Sequence, residues 1–311
     1  MPWRIGVQVT LIHNPNAGDG SQPGPTELLA LIGSAGHRVR YRSSKDEDLA
    51  STLTESADLV AVAGGDGTIA KVATLMRGRD TPIALLPTGT ANNIATVLGV
   101  TGLTLAQQVD GWLPGHSICF DIGRARGHWG SRKFVESFGL GLIAHMIASE
   151  EDTDFGRTHN TDSRMARGRH TVRSRLRCLP AFELHAVLDG REFSGRFVLF
   201  EAMNIGIVGP NLNLAALADP TDGLLDLVLV REDERDLLQD CFQAEAEGRP
   251  WPHRFSLARG THLRITGLRD LTHIDDEVSP LPQEAEKRSV YLSIGDRVRI
   301  VLPERHRATP S

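Results

Sequence analysis

The first third of the chain alternates short apolar runs with segments of helical spacing. Residues 7–12, 37–41, 58–63 and 82–87 read as strands, and the last two are apolar enough for strands buried on both faces. Between them, residues 26–32, 46–55 and 69–76 place apolar side chains three and four apart, as one face of a helix requires. Repeated strand–helix alternation predicts a parallel sheet with helices on its faces. The texture changes after Trp112-Leu113-Pro114-Gly115. Strand-like patterns then follow at 119–122, 133–137, 182–188, 197–207, 224–230, 262–265 and 298–302, with helical spacing only near 141–150 and 233–247. Many strands with few helices predict a largely antiparallel second domain, a sandwich. The expected fold class is therefore α/β with two domains. An N-terminal parallel α/β domain covers residues 1–117, a mostly antiparallel β-sandwich domain covers 118–302, and 303–311 form a tail.

Ligands of such parallel sheets sit at the carboxyl ends of the strands. Three turn-rich loops fall at those ends, Asn14 to Gly18, Gly64 to Thr68 and Thr88 to Asn93, and are expected to converge on one cleft. Gly64-Gly65-Asp66-Gly67-Thr68 is the most informative of them. A glycine-rich turn between strand and helix brings backbone N–H groups close to a phosphate, and the helix N-terminus adds partial positive charge. A carboxylate beside phosphates repels them unless a cation lies between, so Asp66 implies Mg²⁺ or a reacting proton. The plainer alternative is a tight turn with a helix cap. In the next loop, Gly89 permits close backbone approach, Thr90 can donate its hydroxyl, and Asn92 can bridge adenine, ribose or backbone groups. No G-x-x-x-x-G-K-[ST] motif occurs, and Gly18-Asp19-Gly20 with Gly24 falls short of a dinucleotide fingerprint.

Composition narrows the classes. Hydrophobic residues make up 40% and charged residues 23%, as in a globular protein with a core, and the net charge of -5 argues against a general nucleic-acid binder. Cys119, Cys178 and Cys241 are too dispersed for a disulfide framework or a CxxC metal site, and suit a reducing compartment. Met1-Pro2-Trp3-Arg4 leads directly into a strand-like pattern, and no apolar run approaches the roughly 20 residues of a membrane span. The expectation is a cytoplasmic protein which, if it meets lipid, does so from the aqueous side, with its oligomeric state open. The stretch from 150 to 177 opens with acidic residues and continues with seven arginines, from Arg157 to Arg177. It reads as a solvated excursion, or as a basic surface for anionic headgroups.

These motifs together resemble the lipid-kinase family of bacterial diacylglycerol kinases, sphingosine kinases and ceramide kinases, whose fold is related to that of NAD kinases. The resemblance is collinear over nearly the whole chain. Asn14-Pro15-Asn16-Ala17-Gly18 is similar to the family's entry loop, Gly64 to Thr68 to its hallmark nucleotide loop, and Gly89-Thr90-Ala91-Asn92 to its Gly-Thr-x-Asn-Asp stretch. Asp121-Ile122-Gly123, Phe138-Gly139-Leu140-Gly141, Asp222-Gly223-Leu224-Leu225-Asp226 and Ile274-Asp275-Asp276-Glu277 resemble later family motifs in order.

The resemblance implies ATP between the two domains, with contacts from Asn14, Gly18, Ser44, Gly64, Gly65, Asp66, Gly67, Thr68, Gly89, Thr90 and Asn92. Ser44 enters through its place after the second strand. It implies Glu277 or Asp66 as the base toward a lipid hydroxyl, and a structural Mg²⁺ held by the Asp222 side chain and the carbonyls of Asp219 and Leu224. The implied partner is a lipid substrate at a membrane surface, the inner face for a cytoplasmic protein. Two departures stand out. Asn93 replaces the family's aspartate, and Asp276 stands where Asp-Gly-Glu has glycine, a position that aspartate fills if the turn is left-handed. An ATP-dependent lipid kinase is the leading expectation. A kinase of a soluble alcohol, including NAD, and a non-catalytic nucleotide or lipid sensor are the alternatives.

Overall fold

The computed structural model describes residues 6–46, 48–113, 115–151, 161–280 and 289–304. The chain divides into two compact units, Met1–Phe120 with Asp296–Ser311, and Asp121–Gly295. In chain order the elements are β1 (Gln8–His13), α1 (Pro25–Ser34), β2 (Arg38–Ser43), α2 (Leu49–Thr52), β3 (Leu59–Gly64), α3 (Asp66–Met76), β4 (Ile83–Pro87), α4 (Asn93–Val97) and α5 (Leu105–Asp110). There follow β5 (His116–Gly127), β6 (Gly130–Phe134), β7 (Ser137–Gly141), α6 (Leu142–Glu151), α7 (Thr161–Cys178), β8 (Phe182–Leu188), β9 (Arg191–Met203), β10 (Ile207–Val208) and β11 (Leu212–Asn213). The chain continues with β12 (Leu225–Arg231), α8 (Arg235–Ala246), β13 (Ser256–Gly260), β14 (His262–Thr266), β15 (Thr272–Ile274), β16 (Glu277–Ser279) and β17 (Ser289–Leu302).

The first unit is the expected parallel α/β domain. Its strands run in the order β2-β1-β3-β4-β17, all parallel. Every residue of the central strand β3 is buried, which is why residues 58–63 show no alternation in sequence. Val9, Leu11, Leu59, Ala61, Ala84 and Leu86 form one core with Leu28 and Ile32 of α1 and Val109 near the end of α5. The helix expected over 46–55 shortens to α2. Thr54 donates both its backbone N–H and its hydroxyl to the Ser51 carbonyl, and such local bonding competes with helix propagation.

The second unit is mostly antiparallel sheet. The first half of strand β9 pairs with β8, and its second half lies between β7 and β12. Alternation on β12 sends Leu225, Leu227 and Leu229 to one core, with Phe138, Phe200 and Ile265. Val228 and Val230 go to another, with Leu142, Val172, Leu176 and Leu238 from α6, α7 and α8. The helices therefore cover one face of the sheet.

Three sequence readings change. The strand expected over 133–137 is two strands, because the N–H groups of Val135 and Glu136 leave the ladder to bond the Asp275 carboxylate. Residues 296–302, read from sequence as the end of the second domain, lie in the first unit, where β17 pairs parallel with β4. The arginine-rich stretch is not an irregular excursion from 161 onward but the amphipathic helix α7, with Met165, Gly168, Val172 and Leu176 buried. Its arginines mask that apolar stripe in a composition count. The acidic opening at Asp152 and Asp154, and Arg157, lie outside the described residues.

The buried stripe of α7 can be tested against its exposed face. Leu176→Ala, at a fully buried position, should cost about 2–5 kcal/mol of stability. Arg175→Ala on the exposed face should stay within about 0.5 kcal/mol. Urea unfolding midpoints of the two variants check the contrast.

Candidate active site

Parallel register places the loops of the first unit on one level. His13 lies opposite Ser43 on one side and Ala63 on the other, and Ala63 lies opposite Leu86. Ser44, Asn14, Gly64 and Pro87 thus follow the same row across four adjacent strands. Ser44 is buried there, its N–H donating to the His13 carbonyl and its carbonyl accepting from Lys71 Nζ at 2.8 Å.

The glycine loops meet backbone to backbone. A Cβ built on Gly65 would lie 3.1 Å from Gly89 Cα, and one built on Gly89 would overlap Gly65 Cα. The Thr88 N–H donates to the Gly64 carbonyl at 3.1 Å. The first loop joins them. Gly18, at φ +69°, packs against the Thr88 carbonyl, and Asn14 Nδ2 donates to Thr68 Oγ1 at 3.1 Å. The three loops therefore converge as expected, within the first unit.

Side chains at this junction mostly build the cradle. Asp66 Oδ2 accepts from Asn93 N and Oδ1 from Ile94 N, both at 3.0 Å. The carboxylate of the first glycine loop thus caps the helix that follows the second, a role that needs neither a cation nor a reacting proton. Asn92 adopts the left-handed conformation (φ 51°) and closes its loop, accepting from Gly89 N and donating to Gly89 O, both at 2.9 Å. Of the three uses considered for Asn92, the backbone one is observed. Gly67 is exposed and Thr90 half-buried. Thr88 is 1% exposed, and its hydroxyl oxygen lacks a hydrogen-bond partner among the described residues. A cradle that a Cβ would fill and, in the residue before Gly89, an orphaned buried hydroxyl fit a phosphate-bearing ligand.

In the second unit, Glu277 opens β16. Its side chain is 68% exposed and forms an ion pair with Arg132 of β6. The turn before it is fixed from below. Asp275 takes the left-handed position (φ 52°), so Asp276, the residue in the family's glycine place, needs no left-handed backbone. The Asp275 carboxylate accepts from the N–H groups of Val135 (3.1 Å), Glu136 (2.8 Å) and Ser137 (3.2 Å). His273 Nδ1 donates to the Asp275 carbonyl at 2.8 Å, and its Nε2 lies 2.9 Å from Glu201 Oε1. Both members of that ion pair are fully buried. Gly139 lies opposite both residues on the strand between them, and a Cβ there would collide with the Glu201 carboxylate.

Burial pulls the His273 imidazole down, but the Glu201 carboxylate outweighs it and the net direction is up. Burial pushes the Asp275 carboxyl up to about 7, against the pull of the backbone N–H groups and with help from the Asp276 charge. Burial also raises Asp276, as does the neighbouring Glu277.

Where the resemblance implies a structural magnesium, the Asp222 carboxylate is already engaged on both oxygens. Asp222 Oδ1 accepts from Leu224 N at 2.9 Å, and Asp222 Oδ2 is ion-paired with Arg259. The Asp219 carbonyl accepts from Asp222 N, and its carboxylate from Thr221 N and Oγ1. Among the described residues no group of three or more His, Cys, Asp or Glu is arranged to hold a metal ion. Asp121 is fully buried, its carboxylate accepting from Gly223 N at 2.6 Å.

Comparison with known proteins finds similarity that includes the glycine loops. Residues 8–125 match the diacylglycerol kinase catalytic domain. A diacylglycerol kinase of Mycobacterium tuberculosis is 27% identical over 257 residues, 78% of this chain and 79% of its own length. A Stenotrophomonas maltophilia protein named "Probable lipid kinase YegS-like" is also 27% identical, over 92% of this chain and 94% of its own. Among solved structures, a diacylglycerol kinase from Bacillus anthracis superposes with a TM-score of 0.68 at 18% identity, covering 94% of this chain and 96% of that one. That likeness is one of fold, and it spans both units.

The match to the catalytic domain covers the three loops but not the turn at Glu277, nor the groups that hold it. Arg132, Glu201 and His273 were not legible as site residues, because their partners lie far away in the sequence. Residues 197–203 of β9 are all buried, and nothing in that run points from Glu201 to His273. Lys71 was equally hidden, since its partner is a backbone carbonyl.

Two outcomes follow from this geometry. Gly89→Ala forces two loop backbones apart and should cost about 1–3 kcal/mol together with any nucleotide affinity, read by urea unfolding and calorimetry. For Asp275, a pKa raised above the unfolded value (about 4) means that its stabilising contribution is complete below that pH. The contribution is lost as pH rises toward about 7. Asp275→Asn cannot ionise, so the stability of the parent relative to this variant should fall between those pH values, which urea midpoints across the range will show.

Proposed function

We propose that this chain is an ATP-dependent lipid kinase, transferring the γ-phosphoryl group to a hydroxyl of a lipid such as diacylglycerol or a sphingoid-type lipid. The observation that carries the reading is the backbone contact between Gly65 and Gly89, within the segment that matches the diacylglycerol kinase catalytic domain. The names of the relatives support a kinase, and the YegS-like relative supports a lipid acceptor.

In this reading Gly18, Gly64, Gly65, Gly67, Gly89 and Thr90 lend backbone and hydroxyl donors to the phosphates. Asn14, Ser44, Thr68 and Asn92 hold the loops in shape. Asp66 orients the second loop through its cap on α4. Magnesium would enter with the nucleotide, where it offsets phosphate charge. Glu277 accepts the proton of the attacking hydroxyl, and Arg132 steers its carboxylate. No helix among the described residues is long and apolar enough to cross a membrane. In this reading the lipid acceptor is met at a membrane surface, on the cytoplasmic face.

The Arg132–Glu277 ion pair also favours a second reading, a nucleotide sensor without turnover, because a carboxylate held by a guanidinium is less available to a substrate proton. One experiment separates them. With Mg-ATP and a panel of diacylglycerol, sphingoid and glycerolipid acceptors, lipid-dependent phosphate transfer is expected. Glu277→Gln should lower it by about a hundred- to ten-thousand-fold while nucleotide binding persists. Absence of transfer across the panel, with nucleotide still bound, would establish the sensor.

A further inference from the structure

The loop from Ala218 to Leu224 and the strand after it carry Asp219, Asp222 and Asp226, an acidic run that invites a divalent cation. In this chain a side chain already stands there. Arg259 of β13 lies directly opposite Asp226 of β12 in the antiparallel register. Its Nε is 3.1 Å from Asp226 Oδ1, and its terminal nitrogen is ion-paired with Asp222 Oδ2. One guanidinium therefore bridges two carboxylates through two of its nitrogens, a spread of donors that arginine offers and a point charge does not. The other Asp222 oxygen is taken by Leu224 N, and the Asp219 carboxylate by its own loop. The loop is held from its far side by Asp121, which donates its N–H to the Pro220 carbonyl at 2.7 Å and accepts from Gly223 N.

We propose that the Arg259 guanidinium takes the place of a structural divalent cation in this chain, fixing the Asp219–Asp226 loop without bound metal. The inference goes beyond the kinase reading and does not depend on it, since magnesium carried by a nucleotide is a separate matter and the test uses none. A covalently attached cation cannot be chelated, so the second unit keeps its shape whatever the magnesium supply. Because Arg259 sits in a β-ladder, the pairing of β12 with β13 and the seating of the loop become one event. Mg²⁺ would ask instead for near-octahedral oxygen ligands, and both oxygens of Asp222, the one side-chain ligand implied there, are already engaged.

The test is run on the full chain without nucleotide. Thermal unfolding of the parent should be the same in EDTA and in millimolar Mg²⁺, and Mn²⁺ titrated in an electron paramagnetic resonance assay should stay free. Arg259→Gln frees the acidic pair. It should lower the Tm and gain a Mg²⁺-dependent recovery, while Arg259→Lys keeps part of the parent's indifference to metal. A resident site with metal at a hundred times its dissociation constant would raise the Tm by roughly 5 °C. Such a rise in the parent, or stoichiometric Mn²⁺ binding by the parent that Asp222→Asn abolishes, overturns the proposal. So does a folded Arg259→Gln chain that remains insensitive to Mg²⁺. If that variant does not fold, the Mn²⁺ titration of the parent and of Asp222→Asn decides alone.

Discussion

The contact between Gly65 and Gly89 governs the first unit. Two chain segments that each leave a parallel strand approach until their α-carbons touch, and no side chain of any size can stand between them. Everything else in the cradle serves that approach. The Asp66 carboxylate crosses from one segment to cap the helix that begins in the other, and Asn92 turns left-handed to tie its own segment shut. The cost of ordering so much turn backbone is offset by the buried central strands beneath, where β3 has no exposed residue. Two backbones thus meet, with no side chain between them, over a floor of buried strands.

That floor was legible in the sequence, because parallel strands buried on both faces read as unbroken apolar runs and their loops are written in glycine, asparagine and threonine. The convergence of residues 14–18, 64–68 and 88–93 could be read for the same reason: sheets of this kind collect their loops at one edge. Use of the individual side chains could not. Asp66 looked like a group in need of a cation, since its two amide donors lie on a helix that begins well downstream, at residues 93 and 94. Helix α7 was hidden differently. Its four buried positions are interleaved with six arginines, and average polarity drowned the spacing. Long-range polar pairs such as Glu201 with His273 leave no local signature at all.

Beneath the turn that presents Glu277 lies a buried polar column: the Glu201 carboxylate, the His273 ring, the Asp275 carbonyl, and the Asp275 carboxylate on three backbone amides. Buried charge gives little net stability, since desolvation consumes most of the attraction, but a satisfied network tolerates few alternative arrangements. Its effect here is geometric. The hairpin of β15 and β16 has only three residues per strand, too short to define its tip by pairing alone, and the column supplies the missing definition.

Strand β17 has two lives. Its early residues run antiparallel to β14 in the second unit, and its later ones run parallel to β4 in the first. On a ribosome, the amino-terminal sheet must therefore wait, one edge open, until nearly three hundred residues have emerged. That open edge belongs to β4, an apolar strand of the kind prone to pairing with strangers. Synthesis order and folding order are thus in conflict for this protein. A fragment ending near residue 120 would carry all three glycine-bearing loops and still lack the strand that completes their support.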